Sequence, residues 1–126
     1  MKIVSVEPIH ISVPYDYGGP LQKADAIPWR NMETLFVKVT TDEGIVGWGE
    51  GFGFSICGTT RYAVEHMIAP LAVGRDPSDI DALITDIAKK QHTGGRNGPL
   101  SFGISALDIA LWDIKAKRAE IGRAHV

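Results

Sequence analysis

A chain of 126 residues with 44% hydrophobic and 22% charged content can bury one modest core, and its composition is that of an ordinary water-soluble domain. A net charge of −2 with scattered Lys and Arg gives no basic face for nucleic acid, and no apolar run approaches the ~20 residues of a membrane span. Glu7 and Pro8 interrupt any signal-peptide core behind Lys2, so the cytoplasm is the expected compartment; Cys57, a single thiol, rules out an internal disulfide framework and any Cys-based zinc site and reads as a semi-buried loop cysteine.

Three strands come first. Ile3 to Val13 is strand-like, but Val4 and Val6 share one parity while Ile9, Ile11 and Val13 share the other. The switch falls at Glu7-Pro8, where proline cannot donate to a ladder, so an edge position or a bulge is predicted there. Tyr15 to Asn31, with Gly18-Gly19-Pro20 and Pro28, reads as a long loop, a length that is usually functional or disordered. Leu35, Val37 and Val39 alternate in a second strand. Thr41-Asp42-Glu43-Gly44 is a hairpin turn, and Ile45 to Phe52 a third strand with Val46, Trp48 and Glu50 on one face. Phe54 to Gly58 is a second loop.

Three helices follow. Thr59 or Thr60 is placed to cap the first, with Val64, Met67, Ile68 and Leu71 on its apolar face and Pro70 predicted to end or kink it. Asp76-Pro77 is predicted to cap the second, whose Ile80, Leu83, Ile84 and Ile87 repeat at helical spacing, with Lys89 and Lys90 at its C-terminal end. Thr93-Gly94-Gly95 breaks it, and Gly98-Pro99 opens the third. In that helix Leu100, Ile104, Leu107, Leu111 and Ile114 form one apolar stripe, and Phe102, Ile109 and Trp112 a second one opposite. A helix apolar on two faces is normally sandwiched between layers, so one layer is expected to be missing and the isolated chain is expected to aggregate or to form a loose, dye-binding state. The order of elements implies an α+β fold: a three-stranded antiparallel meander followed by three helices.

Three segments carry a family resemblance: Thr34 to Glu50, Ile68-Ala69-Pro70-Leu71 through Gly74-Arg75-Asp76-Pro77, and Gly103 to Lys117. They resemble the hairpin, the first helix junction and the helix entering the barrel in the mandelate racemase/muconate lactonizing enzyme group of the enolase superfamily. The resemblance covers an N-terminal capping domain, residues 1–118. It implies an intact parent in which this domain closes over a TIM-type barrel, itself typically ~250 residues. Such enzymes abstract the proton α to a carboxylate with a Lys or His base, while Mg²⁺ stabilises the enediolate. A sugar-acid dehydratase is the first reading of the parent, with racemase, epimerase or cycloisomerase behind it, and the parent is expected to be a homo-oligomer. The bases and metal ligands belong to the barrel; Lys115-Ala116-Lys117 has the spacing of a base pair but lies on a helix. This segment alone is therefore expected to be inert, with no catalytic residue and no bound metal.

By the same resemblance, the loops at Tyr15 to Asn31 and Phe52 to Gly58 set substrate specificity. Tyr15, Tyr17, Trp29 and Phe54 are the expected contacts to a small carboxylate or sugar acid. Glu50, Asp108 and Asp113 read as structural, Asp113 pairing with Lys117. His10, His66, His92 and His125 lie on different elements without ligand spacing and read as solvated, and Gly94 to Gly98 reads as a plain interhelical turn. Glu120 to Val126 departs from the family pattern. It matches one frame of a common sequencing-adapter oligonucleotide, which translates as Glu-Ile-Gly-Arg-Ala-His-Val and then stops, so residues 119–126 are expected to be a non-native tail. The competing class, a stand-alone binding or oligomerisation module, requires a polar outer face on the last helix.

Overall fold

The computed structural model describes residues 1–16, 18–20 and 30–122. Strands β1 (Ile3–Pro14), β2 (Asn31–Thr41) and β3 (Val46–Gly51) form an antiparallel sheet in the order β1-β2-β3, and three helical segments cover one of its faces. This is the α+β meander expected from the alternation of strand-like and helical periods.

β1 is an edge strand, as Pro8 requires, but the bulge lies elsewhere. Pairing runs without a break from Ser5↔Thr40 to Pro14↔Asn31, and the register shifts between Ile3 and Ser5. Val4 is the inserted residue, so Ile3 and Val6 both turn into the core with Val37 and Val39. Beyond Pro8 the same face carries His10 and Ser12, opposite Leu35 and Glu33. Ile9, Ile11 and Val13 thus look outward, away from the helices, which accounts for the parity switch.

β3 buries its glycines. Val46, Trp48 and Glu50 share one face as predicted, and that face is the outward one, while Gly47, Gly49 and Gly51 face the last helix, α4 (Pro99–Arg118). Cβ atoms at Gly47 and Gly49 would sit inside the backbone carbonyls of Ala110 and Ala106. Helix and strand therefore touch backbone to backbone, with Ala106 and Ala110 as the small residues on the helix side, while Gly103 lets the same helix approach Val64 and Ile68. The outer edge of β3 is closed by the same helix: the Asp113 Oδ2 accepts the Trp48 N–H at 2.9 Å, and the Lys117 Nζ donates to the Val46 carbonyl at 2.6 Å. The second apolar stripe of α4 is half-buried rather than bare. Phe102 lies 5.0 Å from the Phe52 ring, and the Lys115 ammonium sits 4.7 Å over Trp112. Large exposed apolar side chains gather instead on the outer sheet face, at Ile11, Val13, Met32 and Trp48.

The first helix begins earlier than its threonines suggest. A 3₁₀ turn (Phe54–Ile56) leads into α1 (Cys57–Tyr62), which has no side-chain cap. Pro70 neither ends nor breaks the helix. The chain passes through a π-helical stretch (Ala63–Ile68) into α2 (Ala69–Ala72), and the Ala69 N–H bonds to the Val64 carbonyl, five residues back. This wider turn moves the preceding carbonyls away from the proline ring. Thr60 faces the core, and its Oγ1 has no hydrogen-bond partner among the described residues. A buried hydroxyl without a partner costs about 1–3 kcal/mol. Thr60→Val, which keeps the shape, is therefore expected to leave stability unchanged or raise it by about 1 kcal/mol in a urea melt.

Asp76 does not cap the second helix. It closes a turn by accepting the N–H and hydroxyl of Ser78 at 2.8 and 2.7 Å, and Asp79 caps α3 (Ile80–Lys90) by accepting from the Ala82 N–H at 3.3 Å. Pro77 thus lies before the helix rather than within it. At the other end Lys90 reaches Asp86, which also takes Arg75 at 2.6 Å. Leu83 and Ile87 enter the core, and Leu100, Leu107, Leu111 and Ile114 of α4 close it.

Candidate functional site

Because β1 and β3 both run antiparallel to β2, the two loops predicted to contact substrate leave toward the same end of the sheet, β3 stopping at Gly51, level with His10, and β1 continuing to Pro14. Tyr15 continues the ladder, its N–H bonded to the Arg30 carbonyl at 2.8 Å, with its ring partly exposed. Phe54 is exposed on the other loop and holds a left-handed φ of 58°. Tyr17 and Trp29 lie outside the described residues. Two of the four sequence-derived contact residues are therefore exposed toward the same end of the sheet, together with Phe52.

At this end, on the helix side of the sheet, is a polar cluster. The His10 Nε2 and Glu33 Oε2 are 2.5 Å apart, and the Ser12 hydroxyl donates to the Glu33 Oε1 at 2.8 Å. The buried Cys57 thiol completes it: a His10 ring nitrogen, a Glu33 oxygen and the Sγ all lie within 4.8 Å of one another. The cluster sits where the helical layer ends, so the inner face of the sheet meets water and accepts polar side chains. Gly53 makes the approach possible, since a Cβ there would lie 2.8 Å from the Cys57 Sγ.

The hydrogen bond from His10, then that from Ser12, holds the Glu33 carboxyl below its usual range. Burial, and next the negative charge of Glu33, push the Cys57 thiol upward. Asp86 is also lowered, first by its bond to Arg75 and then by Lys90. A carboxyl depressed by folding stabilises the protein above its unfolded pKa, and that contribution is lost as pH falls through the folded value. Stability is therefore expected to drop progressively from about pH 4 downward, and Glu33→Gln with Asp86→Asn should flatten that limb in chemical melts at stepped pH. Unchanged acid sensitivity in the double variant would count against these two groups.

The other candidates are structural. Asp113 and Lys117 close the edge of β3, Glu50 is on the outer face, and Gly95 and Gly98 take φ values of 81° and 80° in the turn between α3 and α4. A cleft of about 510 Å³ opens there between Ile84 and Ile104, rimmed by Lys89 and Arg96. Spacing alone makes His10 a solvated histidine; its pairing with Glu33, 23 residues away, depends on strand register, which no local spacing reveals. The alternation of His10 and Ser12 with the inward positions of β1 was the available signal, hidden by the bulge at Val4.

Among the described residues, His10, Glu33 and Cys57 form the one group of three His, Cys, Asp or Glu side chains able to converge on a cation. A buried thiol does not suit Mg²⁺, which takes oxygen ligands in near-octahedral geometry. The Mg²⁺ that the resemblance implies thus does not fit this cluster.

Known proteins extend this picture. A "D-galactonate dehydratase family member" of Streptomyces bingchenggensis is 37% identical over 111 residues, covering 78% of this chain and 25% of that protein. A "D-galactonate dehydratase" of Cronobacter sakazakii is 42% identical over 86 residues, covering 66% of this chain and 21% of its own. The chain thus spans about a quarter of the length of these curated relatives. The crystal structure of L-talarate dehydratase from Polaromonas sp. JS666, complexed with Mg and L-glucarate, superposes with a TM-score of 0.79 at 28% identity over 94% of this chain and 32% of that one. The sequence profile of the mandelate racemase/muconate lactonizing enzyme N-terminal domain matches residues 19–124, and to that family the chain belongs.

Proposed function

We propose that this chain is the capping, specificity-setting domain of an enzyme that removes the α-proton of a sugar acid and expels water. In this reading the catalytic bases and Mg²⁺ reside on a C-terminal barrel, and the domain described here supplies the rim that closes over the substrate. The observation that carries it is topological. The two loops after β1 and β3 emerge at one end of the sheet and present Tyr15, Phe52 and Phe54 there. A rim of this kind sets specificity by contact and by excluding water, while leaving the chemistry to groups beneath it. Relatives named as D-galactonate dehydratases support the choice of elimination over racemisation.

The test is the intact protein, expressed with its barrel and assayed with Mg²⁺ on a panel of aldonates. One or more should be dehydrated, and Tyr15→Ala and Phe54→Ala should each lower kcat/KM at least ~10-fold without changing Tm. Dehydration with both variants fully active would overturn the capping role. No turnover of any aldonate would overturn the dehydratase reading.

A further inference from the structure

We propose that His10, Glu33 and Cys57 bind a divalent cation of the zinc class, which clasps the loop after β3 to the first two strands. The donor set is the first argument. Imidazole, carboxylate and thiolate together select a borderline-soft, four-coordinate ion rather than a hard one. The cysteine count, taken alone, rules out a Cys-based zinc site; that exclusion holds for a cysteine-rich site and not for a mixed one, which needs only a single thiol.

Geometry is the second argument. The three donor atoms lie within 4.8 Å of one another. Metal–ligand bonds of ~2.0 to 2.3 Å at tetrahedral angles place donors roughly 3.2 to 3.7 Å apart. The cluster therefore needs to spread at one side and close by about 1 Å at the other. His10 and Glu33, with side chains 30% and 24% exposed, have the freedom to do so, whereas Cys57 is fixed at 1% exposure. Their exposed side also leaves room for a water as fourth ligand.

The surroundings are the third argument. Ser12 holds the Glu33 Oε1 and leaves Oε2 toward the site, the outer-shell support that ligating carboxylates commonly have. Gly53 admits the Sγ by lacking a Cβ, and the next residue is held at positive φ. Strain of this kind is kept at positions where a site must be shaped. On binding, the thiol proton leaves to solvent, the proton between His10 Nε2 and Glu33 is released to solvent or carried on Nδ1 instead, and the cation takes its place between the two side chains. The negative field that Glu33 imposes on the buried thiol is then neutralised.

The full chain, reduced and stripped with a chelator, should be titrated with Co²⁺ and then with Zn²⁺. Expected results are a saturable sulfur-to-cobalt charge-transfer band with the strong visible bands of four-coordination, displaced by one equivalent of Zn²⁺. Cys57→Ser should abolish the charge-transfer band, and His10→Gln should weaken binding at least ~10-fold. Zn²⁺ should raise Tm in the native chain and not in either variant. His10→Gln, at a partly exposed strand position, keeps the comparison decisive if Cys57→Ser fails to fold by circular dichroism. Absence of a charge-transfer band in the native chain overturns the proposal. So does an equal rise in Tm in the native chain and His10→Gln, which would mean binding at exposed histidines such as His66 and His92 only.

Discussion

Gly49→Ala is expected to cost about 3 kcal/mol or more and to lower Tm by roughly 10 °C. The added methyl meets the Ala106 backbone carbonyl, not the end of a side chain that could swing away. Relief requires moving β3 off α4, and that contact is the main junction between sheet and helices. Overpacking typically costs 1–3 kcal/mol where side chains can yield, so a backbone obstacle belongs at or above the top of that range. A domain of this size holds only about 5–15 kcal/mol in total. Gly58→Ala is the matched control: it lies in α1 with nothing within 4 Å of a new Cβ, and should stabilise by about 0.5–1 kcal/mol. Guanidinium melts of the pair decide the matter. Equal midpoints for the two variants would show that strand and helix are not in backbone contact.

Asp113→Ala should cost about 2 kcal/mol. Its carboxylate, 17% exposed, accepts both the Trp48 N–H and the Lys117 ammonium at 3.0 Å, so removal leaves a strand edge without its acceptor. The ion pair alone is worth only about 0.3–0.5 kcal/mol at i, i+4 spacing. Most of the loss should therefore persist in a Lys117→Met background, and Asp113→Asn, which keeps an acceptor, should recover about half of it. A double-mutant cycle measures the division. A coupling energy that accounted for the whole loss would assign the role to the ion pair and not to the edge of β3.

These two sites show what could be read from the sequence and what could not. Alternation placed Val46, Trp48 and Glu50 on one face of β3 correctly, yet gave no sign that the opposite face, all glycine, is the buried one. Hydropathy is silent on glycine, because what glycine contributes there is the absence of a side chain. The same blindness affected α4. Its large residues marked two stripes, but the sheet contact runs through Ala106 and Ala110. The meander and the three helices were legible because each rests on local periodicity and turn chemistry. The cap at Asp79, the bulge at Val4 and the passage through Pro70 were decided by packing between elements. The His10–Glu33–Cys57 cluster belongs to the same class, since it draws on two strands and a helix start whose register is set elsewhere.

The glycine-to-alanine junction also constrains the order in which the domain can assemble. Trp48 and Asp113 are 65 residues apart, and β3 offers few side chains of its own to hold it against the sheet before α4 arrives. Contacts of such long range carry a loop-closure cost that local structure must bear first. On a ribosome the hairpin of β2 and β3 would be made early and remain unsettled until the last helix had emerged. Nascent chains stopped ahead of α4 should accordingly be protease-sensitive throughout the sheet, and resistance should appear in one step once that helix is complete.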